Sequence, residues 1–165
     1  MTGIVAIRRL TIDDMDEVAA IYRQSFDKRL PWLSGLDTRE EDRLFFRETV
    51  FPQCTLWGAT ENGAIIGFAA MRDGWLDHLY VLAQFQSRGV GSLLLRHCQA
   101  QSGELQLWTF QQNCGASRFY QTHGFELVRT TEAIESTDHE PDALYRWKRA
   151  PGRDASAPID GSIGV

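Results

Sequence analysis

The chain has 165 residues, 43% hydrophobic and 24% charged, which fits one soluble globular domain and excludes a disordered chain, a collagen-like repeat or a small disulfide scaffold. Seventeen Lys and Arg against 22 Asp and Glu give a net charge of −5, which argues against nonspecific nucleic-acid binding while leaving room for a local basic pocket. No apolar run approaches the roughly 18–20 residues that span a bilayer, and the basic pair Arg8-Arg9 follows the first apolar stretch, the wrong order for a signal peptide. No membrane association is expected. Cys54, Cys98 and Cys114 are scattered without CxxC spacing, so they read as reduced thiols of a cytoplasmic protein with no metal site. Five Trp and nine Phe are a heavy aromatic load for this length.

Residues 4–10 predict a first strand. Thr11 with Asp14 three residues on is a helix-start signal, and Met15, Val18, Ala19, Tyr22 and Phe26 place one apolar face on a helix over 12–26. A loop short on polarity runs from Lys28 to Asp37. A second cap at Thr38 opens a helix carrying Leu44, Phe45, Val50 and Phe51, stopped by Pro52. Strands follow over 55–60 and 64–71, joined by Asn62-Gly63, the strongest short hairpin signal. Asp73-Gly74 turns into a fourth strand over 75–82. A Gly-rich turn then leads to a helix over about 90–101 with Val90, Leu93, Leu94 and Cys98 on one face. A fifth strand (105–110), a short helix (115–122) ending at Gly124 and two last strands (125–130 and 143–148) complete the order β-α-α-β-β-β-α-β-α-β-β. That order predicts an α/β domain with a mixed sheet over residues 1–150. The small, polar, proline-broken segment 151–165 reads as a flexible tail.

The chemical signal lies in Gln86-Ser87-Arg88-Gly89-Val90-Gly91-Ser92, between a strand and a helix. Backbone N–H groups without intrahelical partners, two glycines that admit close approach and a helix dipole make this a site for an anion such as a pyrophosphate, with Arg88 adding charge. The third glycine of the dinucleotide fingerprint and the lysine of the nucleoside-triphosphate loop are both missing. The bland alternative is a tight strand-to-helix turn.

The pattern Gln-x-x-Gly-x-Gly, the preceding strand Leu76-Asp77-His78-Leu79-Tyr80-Val81, and the downstream segments Leu107–Asn113 and Ala116–Phe125 together resemble the GNAT superfamily of acyl-CoA-dependent N-acyltransferases, over roughly residues 4–148. The resemblance implies a mostly antiparallel central sheet flanked by helices, with parallel strands four and five splayed apart. It implies acetyl-CoA as co-substrate, an amine of a small molecule or peptide as acceptor, no metal, and a monomer or homodimer. Carried over residue by residue, Gln86, Ser87, Arg88, Gly89, Val90, Gly91 and Ser92 hold the CoA phosphates. The backbone of Leu79, Tyr80 and Val81 holds the pantetheine arm, with an N–H near Val81 on the thioester carbonyl. Tyr120 is implied as general acid, and Asn113 and Ser117 touch the CoA arm, orient Tyr120 or simply cap a helix. Asp77, expected on the same face as Leu79 and Val81, is implied as general base, with His78 as the other polar candidate on that strand. Tyr22, Phe26, Trp32 and Leu33 are implied as an apolar lip for the acceptor, or as a cap on the core. A catalytically silent acyl-CoA-binding module is the alternative function.

Overall fold

Two Asx-Gly turns set up the first half of the sheet. In the computed structural model, which describes residues 3–29, 31, 39–132 and 141–151, Asn62 and Gly63 have φ of 53° and 81°, and Asp73 and Gly74 have 43° and 82°. Both central residues of each turn are left-handed, the geometry that matches strand twist and that Asn, Asp and Gly tolerate best. They join β2 (Thr55–Glu61) to β3 (Ala64–Arg72) and β3 to β4 (Trp75–Val81). The sheet has seven strands in the order β1-β2-β3-β4-β5-β7-β6, with β1 at Val5–Arg9, β5 at Glu104–Phe110, β6 at Glu126–Thr130 and β7 at Asp142–Lys148. Every neighbouring pair is antiparallel except β4 and β5. The mixed sheet and the single parallel seam are as expected.

Helices cover both faces. On one side lie α1 (Met15–Arg29) and α2 (Arg39–Phe45), the latter continuing through a π turn (Phe46–Val50) into a last turn, α3 (Phe51–Gln53). They bury Met15, Val18, Ile21, Phe46 and Val50 against Leu56, Ile65, Phe68 and Ala70 of the sheet. On the other side α4 (Val90–Ala100) and α5 (Cys114–Thr122) pack Val90, Leu94, Leu95, Cys98 and Tyr120 against Leu76, Val81, Leu105 and Leu107. Covered on both faces, β3 is buried from Ile65 to Met71, which is why it reads as a continuous apolar run.

Several local expectations need correcting. α1 runs on to Arg29, so Lys28 belongs to the helix. The buried face of the second helix runs through Asp42, Phe46 and Val50, four apart: Phe46 is fully buried, whereas Leu44 and Phe45 are 45% and 41% exposed. Pro52 sits in the first turn of α3, where a missing N–H is tolerated, so it does not stop the helix. On α4 the buried position is Leu95, and Leu93 faces solvent.

Two ion pairs tie the first helices down. Asp42 accepts two 2.7 Å hydrogen bonds from the Arg23 guanidinium, with only 4% and 11% of the two side chains exposed. This bidentate pair locks α2 to α1. At the end of the 3-10 turn before α1, Asp14 accepts from the Arg8 guanidinium and from the Thr11 N–H at 2.8 Å, and these bonds, Arg8 foremost, hold its carboxyl down at about 2. Residues 30 and 32–38, with Trp32 and Leu33, lie outside the described residues, as do Thr38, the side chain of Phe26 and the segment after Pro151.

Candidate active site

Strands β4 and β5 are joined by one bridge, Trp75↔Gln106, after which they part. On its other edge β4 pairs with β3 along its whole length. The register says which backbone groups the parting leaves open. Leu82 N–H donates to the Ile66 carbonyl at 2.9 Å, so Gly67↔Val81 and, two residues back, Ala69↔Leu79 are pairs that exchange no hydrogen bonds. The N–H and C=O of Leu79 and Val81 therefore point away from β3 and into the gap. The Val81 carbonyl there accepts from Ser25 Oγ at 3.2 Å and from Gln86 Nε2 at 2.9 Å.

That second bond ties the anion loop to the strand. In the loop, Ser87 (φ 63°) and Gly89 (φ 82°) are left-handed, and Gly89 caps α4. The first N–H that α4 takes up is that of Leu93, bonded to the Gly89 carbonyl at 3.0 Å. The N–H groups of Val90, Gly91 and Ser92 thus lack intrahelical partners, the arrangement a phosphate needs. Arg88 is exposed and lies 5.4 Å over the Phe85 ring, at the edge of the loop.

Across the gap, α5 starts at Asn113, whose Oδ1 accepts from the Ala116 N–H at 3.1 Å. Asn113 therefore caps its helix and borders the cleft at once. Tyr120, 9% exposed, is wedged between Phe119 and Phe125 at ring separations of 5.3 and 5.5 Å. Together these elements enclose a cleft of about 430 Å³ lined by Leu79, Val81, Gln86, Ser87, Gly89, Gly91, Ser92, Asn113 and Tyr120. Gly115, Ala116 and Phe119 line it too, and the sequence reading did not name them. Their signal is helical: Ala116 and Tyr120 are four apart on one face of α5. Of the other expected residues, Val90 is buried in the core, Tyr80 turns its ring to the α1 side, and Arg88 and Ser117 are not in the lining.

The opposite mouth of the same gap, about 90 Å³, is bordered by Asp77, His78, Tyr80, Trp108, Phe110 and Tyr120 among others. Here Asp77 departs from expectation. Met71 pairs with Leu76 and Ala70 with His78, so Asp77 is the extra residue of a β-bulge. The bulge breaks the alternation: Leu76, Leu79 and Val81 pack towards α4, whereas Asp77 accepts from Arg72 Nε at 2.5 Å and lies 3.6 Å from Cys54 Sγ. Asp77 does not share a face with Leu79 and Val81, and its carboxylate is already held by an arginine. Tyr22 packs edge-on against Tyr80 at 5.3 Å.

Burial pushes the Cys98 thiol up to about 12, and burial with the Asp77 charge pushes Cys54 to about 11, so both stay protonated. Cys114 is exposed. Among the described residues no three His, Cys, Asp or Glu side chains are grouped to hold a metal ion, and no helix is long and apolar enough to cross a membrane.

The comparisons with known proteins agree with this geometry. The family model described as an acetyltransferase (GNAT) domain matches residues 52–127, from the end of α3 into β6. The peptidyl-lysine N-acetyltransferase YjaB of Escherichia coli is 28% identical over 130 residues, covering 78% of this chain and 87% of that protein. The solution structure of apo YjaB from Escherichia coli superposes with a TM-score of 0.73 at 26% identity, covering 89% of this chain and 99% of the other. An N-acetyltransferase of Thermoplasma acidophilum in complex with coenzyme A shares the fold, with a TM-score of 0.71 at 18% identity over 88% of this chain and 99% of that one.

Proposed function

We propose that the chain is a GNAT-type N-acetyltransferase and that it moves an acetyl group from acetyl-CoA to the side-chain amine of a peptidyl lysine by direct attack, a reading supported by the matching domain model and by its likeness to YjaB. One observation carries the reading: the splayed β4–β5 seam turns strand backbone that β5 does not pair towards a cleft that joins an anion loop to a buried tyrosine. The choice of lysine rests on the likeness to YjaB, a peptidyl-lysine N-acetyltransferase.

In this reading the N–H groups at the start of α4 take the CoA phosphates, with Gln86 fixing the loop to β4. The backbone of Leu79 and Val81 takes the pantetheine arm, as a strand would take a neighbour. The Val81 N–H, turned to the cleft, stabilises the charge that develops on the thioester oxygen. Tyr120 donates its proton to the departing sulfur; an ordinary phenol, with pKa near 10, is protonated at neutral pH and so has a proton to give. Tyr22, Phe26, Trp32 and Leu33 are assigned to the acceptor side.

The test is release of CoA thiol from acetyl-CoA with and without a lysine-bearing peptide. Acceptor-dependent release is expected, and binding of acetyl-CoA without it would leave only an acyl-CoA-binding module. Tyr120→Phe should lower kcat by about 10²–10⁴-fold with acetyl-CoA affinity unchanged. Equal turnover of the variant across the pH range removes Tyr120 from the acid role.

A further inference from the structure

His78 follows the β4 bulge and sits in a cluster of rings: Phe46 at 5.3 Å, Tyr22 at 5.9 Å, Phe45 at 6.0 Å, Tyr80 at 6.1 Å and Phe68 at 6.4 Å. Its Nδ1 is buried without a hydrogen-bond partner. A phenyl ring would fill this slot without stranding a polar atom, so packing alone does not account for an imidazole here. The residue also borders the small mouth of the β4–β5 gap, with Tyr120 on the same rim. Burial pushes its pKa down to about 4 against a weaker pull from Asp77, so the ring is neutral at neutral pH. The groups around it that titrate are Tyr22 from α1, Asp77 and Tyr80 from β4 and Tyr120 from α5. Arg72 of β3 is engaged by Asp77, and α2 and the π turn contribute only Phe45 and Phe46.

Resting on the N-acetyltransferase reading above, we propose that His78 accepts the proton of the acceptor nitrogen after that nitrogen has attacked the thioester. The order follows from acidity. A free alkylammonium with pKa near 10.4 does not lose its proton to so weak a base. The amine therefore enters neutral, a form that the aromatic mouth favours over the charged one. Its lone pair forms the new C–N bond, and the carbonyl π pair moves to oxygen. The nitrogen now carries a positive charge beside an electron-poor carbon, is a far stronger acid, and gives its proton to the neutral imidazole. The oxygen pair returns, the C–S bond breaks, and the sulfur leaves with its electrons and takes the Tyr120 proton. The imidazolium then releases its proton to solvent and the phenolate regains one, so the enzyme is unchanged. Aromatic faces and Asp77 around the ring favour the transient imidazolium.

His78→Phe keeps the ring and removes the proton acceptor. With acetyl-CoA and a lysine peptide, kcat is expected to fall by about 10²–10⁴-fold while acetyl-CoA affinity and Tm hold; in His78→Ala, added imidazole should restore part of the turnover. Should the phenyl variant fail to fold, His78→Gln carries the same expectation. A kcat within about threefold of wild type, or a loss that imidazole does not rescue, overturns the assignment and leaves His78 a packing residue. A wild-type protein that releases no CoA with any amine overturns the transferase reading itself, and this step with it. The two failures are distinguished by the wild-type control.

Discussion

The two edges of β4 use the same backbone differently. Towards β3 the strand is paired from Trp75 to Val81, with the bulge at Asp77; towards β5 it makes one bridge and then turns the N–H and C=O of Leu79 and the N–H of Val81 to the cleft, the Val81 carbonyl being taken by Ser25 and Gln86. Backbone polar groups in a folded interior are normally satisfied, and a seam left open is therefore a surface prepared for an extended ligand. The lesson is that alternate residues of one strand divide the labour. The backbone of His78 and Tyr80 bonds to β3, while the backbone of Leu79 and Val81 is turned to the cleft.

Proline substitution can break that division. Tyr80→Pro removes an N–H that bonds to β3 and should destabilise the fold by about 3 kcal/mol or more, read by denaturant unfolding. Leu79→Pro removes one that faces the gap; it should leave the fold standing and weaken acetyl-CoA binding by roughly 5–10-fold, measured by titration calorimetry. Equal destabilisation by the two would refute the register argument. Next comes Asp42→Ala, which removes the two short bonds of the mostly buried Arg23 and leaves it the longer one to Asp27; it should cost about 2–3 kcal/mol in the same experiment. Gly89→Ala forces a side chain into a left-handed cap; about 1–2 kcal/mol of stability and some acetyl-CoA affinity should be lost together. The smallest effect concerns Asp14. Its folded pKa of about 2 lies below the usual 3.8, so its contribution is complete above pH 4 and disappears as the pH falls towards 2. Because the pair is at the surface, Asp14→Asn should flatten the acid limb of a melting curve by less than about 1 kcal/mol.

What was legible in the sequence was local. Asn62-Gly63 and Asp73-Gly74 carry their turn geometry in their residue types, and Gln86–Ser92 carries the anion loop in its glycines and its place before a helix. What was not legible depended on an insertion that changes phase and on packing. The bulge at Asp77 adds a residue to the strand repeat, so the alternation shifts by one there. Such a slip is invisible until the partner strand or helix is in place. For that reason strict alternation puts Asp77 on the wrong face, and on the second helix only packing against the sheet decides among Leu44, Phe45 and Phe46 that Phe46 is the buried one. Phe119 was hidden differently: as one of two adjacent aromatics on α5, nothing local said that it too would reach the cleft.

The strand order has a kinetic consequence. β5 has seven register partners on β7 and a single one on β4, so its neighbour of first resort arrives some thirty residues later in the chain. The hairpins β2–β3 and β3–β4 are local and can form early, whereas the far wall of the cleft waits for a long-range pairing. During synthesis from the N-terminus, one half of the molecule can therefore be folded while the substrate cleft has only one side. Competence to bind acetyl-CoA then becomes a late event in the life of the chain, acquired when β7 slides between β5 and β6.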